Sequence, residues 1–106
     1  MNYNTANFVE DLKIAAKNGV DIYWENVGGK TFDAVYPLFN DFARIPVCGM
    51  ISMYNNEFDT GAEDRLPMLF RNTLTWRLRI QGFIVSEFPE QKQEAMNKLT
   101  SWFKDG

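Results

Sequence analysis

Short β-branched or aromatic runs alternate with segments of helical period along this chain, and that alternation is the strongest restriction on its fold. From Thr5 to Lys17 the apolar residues Phe8, Leu12, Ala15 and Ala16 fall at i, i+4, i+7 and i+8, an amphipathic helix, and Asn18-Gly19 closes it. The stretch from Val20 to Val27 stops at Gly28-Gly29, which predicts a buried strand entering a tight strand-to-helix turn. Phe32, Val35, Tyr36 and Phe39 repeat the helical spacing, with Pro37 expected to kink that helix. Ala43 to Ile51 is a second apolar run, read as a strand although Pro46 cannot donate to a central ladder. Asn55 to Glu63 carries Phe58 as its one large apolar residue and reads as a loop. A helix from Pro67, a residue suited to the first helical turn, places Leu66, Leu69, Phe70, Thr73 and Leu74 on one face. A third strand runs from near Leu78 to Val85, and Pro89 opens a last helix with Met96, Leu99 and Phe103 as its apolar stripe, flanked by Trp102.

The order αβαβαβα predicts an α/β fold. Parallel neighbours need a long connection, which a helix supplies with a right-handed crossover, so three parallel strands with flanking helices follow, half of a doubly wound sheet. With 106 residues only one domain can form. Such a half-sheet leaves an edge unpaired and helix faces without neighbours, so the chain is expected to form a homo-oligomer. Asp21 and Glu25 would supply protective charge on the first strand.

Composition removes several functions. The 11 basic and 14 acidic residues give a net charge of -3, with no basic stripe to track a phosphate backbone, so nucleic acid is not expected as a partner. No apolar run approaches the ~20 residues of a membrane helix, the polar start lacks a leader pattern, and a cytoplasmic location with no membrane partner is expected. The chain has no histidine, which excludes Ser-His-Asp and Cys-His nucleophiles and histidine zinc sites within it. Glu57, Asp59, Glu63 and Asp64 lack calcium-loop spacing, so no metal site is expected. Cys48, the lone cysteine, reads as a buried, inert thiol.

Ligands of open α/β sheets collect outside the carboxyl ends of the strands. Those ends are Asn26 to Gly29, Cys48 to Asn55 and Phe83 to Val85, which read either as a ligand edge or simply as turn and core. Tyr54 is the candidate proton or hydrogen-bond donor to an enolate oxygen. A G-x-G-x-x-G turn, which holds a pyrophosphate on backbone amides, does not occur in these residues.

Three blocks together carry a resemblance: Val20-Asp21-Ile22-Tyr23-Trp24-Glu25-Asn26-Val27-Gly28-Gly29, then Phe42 to Asn55 with Cys48-Gly49-Met50-Ile51-Ser52-Met53-Tyr54-Asn55, then Gln81-Gly82-Phe83-Ile84-Val85. In order and spacing the chain resembles zinc-independent medium-chain dehydrogenases/reductases of the leukotriene dehydrogenase, prostaglandin reductase, alkenal reductase and curcumin reductase branch. The resemblance implies a partial Rossmann domain over residues 1–106, without the catalytic domain and the glycine-rich half of the much longer family chains. It also implies an oxidoreductase using NADP (NADPH) to reduce the carbon-carbon double bond of an enone or enal.

By the same resemblance Tyr54 acts near the substrate carbonyl, and Asn26, Cys48, Gly49, Ile51, Ser52 and Tyr54 meet the cofactor. Phe83, Ile84 and Val85 bracket its nicotinamide, and Tyr3 is similar to the tyrosine that approaches the adenosine phosphate. A fragment of this kind is expected to bind the cofactor weakly and to be inactive alone. The alternative is a stand-alone interaction or assembly module that keeps the fold without the cofactor.

Overall fold

A computed structural model describes residues 5–55 and 66–106. The sequence order holds: α1 (Phe8–Ala15), β1 (Val20–Ile22), α2 (Gly29–Val35), β2 (Phe39–Val47), α3 (Leu66–Thr75), β3 (Arg79–Gly82) and α4 (Lys92–Asp105), with single 3-10 turns between several of them. The three strands form one parallel sheet in the order β1-β2-β3.

Pro37 converts the end of α2 into a 3-10 turn over Tyr36–Leu38, and the chain is extended again by Phe39. Phe39, expected on the helix, therefore opens β2, which starts and stops four residues before the Ala43 to Ile51 run. Register explains part of this shift. Val20 pairs with Phe39 and Ile22 with Arg44, so two steps along β1 match five along β2, and the surplus forms a bulge. Phe42 sits in that bulge at φ 65, donating its N–H to Trp76 O at 2.7 Å, with Arg77 stacked 4.5 Å over its ring and ion-paired to Asp41.

Pro46 occupies the central strand. Tyr23 N–H donates to Arg44 O at 3.0 Å and Glu25 N–H to Pro46 O at 2.9 Å, while the intervening rung from residue 46 back to Tyr23 is the one proline cannot make. Regular pairing of β1 accordingly ends at Ile22 and resumes as a single bridge between Glu25 and Val47.

One face of the sheet holds the core. Phe39, Ala43 and Ile45 pack with Val35, Tyr36 and Leu78, and Leu12, Leu69 and Trp76 close the margin. Tyr23, Phe32, Tyr36, Phe39 and Trp76 form a chain of tilted and edge-on rings with centroids 5.5–6.2 Å apart, geometry that favours aromatic pairs. The other face lies open, a groove of about 530 Å³ lined by Trp24, Arg44, Pro46, Arg79, Gln81, Phe83 and Phe88.

The first strand is thus covered on one side only, with Ile22 exposed in it and Trp24 just beyond its end, where a buried strand was expected. Similarly Leu66, Phe70 and Leu74 of α3 face solvent, and Leu69 alone of the expected apolar face packs on the core cluster. Met96, Leu99, Trp102 and Phe103 of α4 are all exposed, Phe103 by 89%. No helix among the described residues is long and apolar enough to cross a membrane.

Candidate functional site

The carboxyl ends of the strands converge as a parallel sheet requires. Val47, Cys48, Gly49, Met50 and Tyr54 from the end of β2 and Gly82, Phe83, Ile84 and Glu87 from the end of β3 line a cleft of about 380 Å³. Five of the residues singled out in sequence, Cys48, Gly49, Tyr54, Phe83 and Ile84, therefore share one opening. Asn26, on the turn leaving β1, and Ile51 and Ser52, on the 3-10 turn after β2, lie beside it: Asn26 O accepts Ile51 N–H at 3.1 Å, and Val27 O accepts both Ser52 N–H at 3.0 Å and the Ser52 hydroxyl. Val85 is exposed at the start of a 3-10 turn outside the cleft. Tyr3 and the acidic group Glu57, Asp59, Glu63 and Asp64 fall outside the described residues.

The Tyr54 ring is two-thirds exposed, and its hydroxyl accepts the N–H of Met50 at 3.1 Å. Accepting from the backbone holds the phenol oxygen in place while leaving its proton to be donated. Gly49 makes that position possible, because a Cβ there would stand 2.7 Å from the Tyr54 oxygen. Nothing lies within 4 Å of a Cβ built on Gly82, so the β3 side of the cleft presents bare backbone to a ligand. Cys48 is an exposed free thiol, a correction to its expected burial: β2 ends at Val47, one residue earlier, and the chain turns outward there.

Gly28 caps α2 at φ 70, ψ -161 and Gly29 follows at φ 53, so the pair is the strand-to-helix turn that the sequence suggested, in conformations that favour glycine. Two carboxylates stiffen the edge, neither of them among the predicted contacts. Glu87 accepts Ile84 N–H at 2.8 Å, fixing the exit of β3. Glu25, expected as an edge charge, is instead buried at 4% exposure and accepts Val27 N–H and Gly28 N–H, each at 2.7 Å. Tyr23 O–H donates to the same oxygen at 3.3 Å, and burial, then the nearby charge of Glu25, then this hydrogen bond push the phenol up to about 12. An acid just ahead of a Gly-Gly turn, where amides point back along the chain, was the available sign of Glu25.

Three parallel strands with helical crossovers and an open, backbone-rich edge at their carboxyl ends form a partial Rossmann-type sheet. Over most or all of its length the chain is homologous to part of the curcumin, prostaglandin and alkenal reductases, which are zinc-independent medium-chain dehydrogenases/reductases. It is 43% identical over 106 residues to the NADPH-dependent curcumin reductase of Escherichia coli, covering 99% of this chain and 31% of that protein. Against prostaglandin reductase 1 of Mus musculus the identity is 36% over 107 residues, again 99% of this chain and 31% of the relative. The crystal structure of CurA from Vibrio vulnificus in complex with NADPH superposes with a TM-score of 0.84 at 43% identity, covering all of this chain and 32% of that one. The chain thus spans about a third of the length of the relatives it matches. No family model matches it.

Proposed function

We propose that these residues form the nicotinamide-binding edge of an NADPH-dependent reductase that saturates the carbon-carbon double bond of α,β-unsaturated ketones or aldehydes, a cytoplasmic enzyme in this reading. The observation that carries it is the cleft between the ends of β2 and β3, with the Tyr54 hydroxyl held at its mouth by the amide of Met50. The residues fit one end of the cofactor. Asn26, Ile51 and Ser52, beside the cleft, are assigned to the ribose, and Cys48, Gly49, Phe83 and Ile84 offer backbone and apolar surface to a flat ring, with Val85 just beyond them. When bound, the cofactor supplies hydride to the substrate's β-carbon. Tyr54 then donates its remaining hydrogen bond, or its proton, to the oxygen on which enolate charge develops. Tyr3 is assigned to the adenosine-phosphate end by family resemblance alone.

The pyrophosphate would lie on a glycine-rich turn contributed by polypeptide outside these 106 residues, as would the catalytic domain. Alone, the chain neither holds NADPH tightly nor turns over an enone, because the charged centre of the cofactor and much of the substrate surface have no partner here. Calorimetry with the purified chain tests this. Micromolar NADPH affinity, or NADPH oxidation with an enone above background, would refute it.

The exposed stripe on α4 favours a second reading, an interaction module that keeps the fold and dispenses with the cofactor. An adjoining reading frame encoding a glycine-rich strand-to-helix turn would decide for the first.

A further inference from the structure

Glu25 is the buried charged side chain among the described residues, and no cation among them is ion-paired to it. A carboxylate in such a place persists only if hydrogen bonds replace its water. Here they converge on a single oxygen: Val27 N–H and Gly28 N–H at 2.7 Å each, and Tyr23 O–H at 3.3 Å. Short bonds from two successive amides to an anion are among the stronger ones a protein makes. They close the turn on its own preceding residue.

The backbone of that turn is in turn the anchor for the neighbouring strand end. Glu25 O accepts Cys48 N–H at 2.9 Å and Gly49 N–H at 3.1 Å, Asn26 O accepts Ile51 N–H, and Val27 O accepts Ser52 N–H. Four successive attachments therefore tie residues 48–52 to a turn whose shape is set by one side chain. Met50, inside that tied segment, gives its N–H to Tyr54.

We propose that Glu25 is the positioning residue of the ligand edge: its buried carboxylate sets the turn over residues 26–29, and through that turn's carbonyls it sets the Cys48 to Tyr54 segment that receives the nicotinamide-ribose end of a dinucleotide. The ligand part rests on the function proposed above. Glu25 touches neither cofactor nor substrate; it acts through Asn26, Val27 and the loop they hold.

Amide hydrogen exchange on this chain, read residue by residue by NMR, tests the assignment with Glu25→Ala and Glu25→Gln. A positioning role predicts that Glu25→Ala loses protection at Val27 and Gly28 and also at Cys48, Gly49, Ile51 and Ser52, by about tenfold or more, the factor expected for losing a charge-assisted hydrogen bond. Leu78 and Ala16, whose amides bond inside remote helix ends, keep theirs. An equal loss everywhere would make Glu25 a general stabiliser and overturn the proposal. Unchanged protection at residues 48–52 would overturn it as well.

Should Glu25→Ala fail to fold, Glu25→Gln carries the test, since its amide oxygen still accepts while the charge is gone. The same localised pattern is expected in smaller degree, and the Tyr23 absorbance titration falls from about 12 toward the ordinary phenol value. Millimolar NADPH, followed through the amides of Gly49 and Ile84, separates the two claims. Shifts present in the parent chain and lost in the variants support both. A loop loosened by the variants in a chain whose parent never responds to NADPH would remove the dinucleotide and leave the functional reading, not the network, at fault.

Discussion

Replacing Gly28 by alanine places a side chain where the backbone and its neighbours both resist it. The residue sits at φ 70, ψ -161, a region open to glycine, and forcing an L-residue there costs about 1–3 kcal/mol. The new Cβ would stand 3.3 Å from Ser52 Oγ and 3.5 Å from Met50 Cβ. Ser52 cannot retreat freely, because its hydroxyl donates to Val27 O, and giving up that bond adds about 0.5–1.5 kcal/mol. The expected loss is therefore about 2–4 kcal/mol, a large share of the 5–15 kcal/mol of a typical domain. Urea denaturation measures it directly, through a lowered midpoint at unchanged slope. Gly82→Ala is the control: nothing lies within 4 Å of its Cβ and its φ is not positive, so it should stay within about 0.5 kcal/mol of the parent. Equal stability of Gly28→Ala and the parent, or an equal loss in Gly82→Ala, would refute the reasoning.

Four further outcomes are expected. Ile45→Ala, at a side chain 2% exposed in the middle of β2, should cost about 2–5 kcal/mol in the same denaturation experiment. In an intact relative carrying these residues, Tyr54→Phe should lower kcat more than it weakens cofactor binding, since the hydroxyl acts on charge that develops during reaction; unchanged kcat with a poorer cofactor constant would leave Tyr54 a ribose contact. Stability should be whole below pH 10 and decline from there to about pH 12, because the unfolded phenol of Tyr23 ionises near 10 and the folded one near 12; Tyr23→Phe should flatten that decline in thermal melts across the window. The chain should self-associate, as it exposes 8724 Å² where a compact monomer of its mass exposes about 6,100 Å², more surplus than the roughly 1,600 Å² that a stable dimer buries; light scattering across a dilution series checks this, and a monodisperse monomer of 12.3 kDa would contradict it.

Element type and order were legible because hydrophobic period is a local property: α1, α3, α4 and all three strands stand where it puts them, to within a few residues. Boundaries failed where long-range contacts decide. Phe39 has the right spacing for α2, yet it belongs to β2 because Pro37 ends the helix and Val20 takes Phe39 as its partner. The bulge at Phe42 depends on Trp76 O and on Arg77, more than thirty residues away, and no window of sequence contains both. The exposure of Leu66, Phe70 and Leu74 was equally hidden, since periodicity marks an apolar face without saying what covers it. At the site, motif and strand-end position brought out Cys48, Gly49, Tyr54, Phe83 and Ile84, which share a cleft. Glu25 was passed over as a surface charge because burial of its carboxylate is a tertiary outcome.

The parallel sheet also sets how this chain must fold in time. Each ladder joins segments with a helix between them: Val20 must find Phe39, and Arg44 must find Arg79. The entropy of closing those loops is spent before any rung repays it, which places such topologies among the slower two-state folders. During synthesis β2 emerges with its β1 partner already outside the ribosome but waits for α3 before β3 can join. The nascent chain therefore passes through a stage in which β2, the strand that carries the sheet's buried residues Phe39, Ala43 and Ile45, has an open edge, and it is then that aggregation competes with folding.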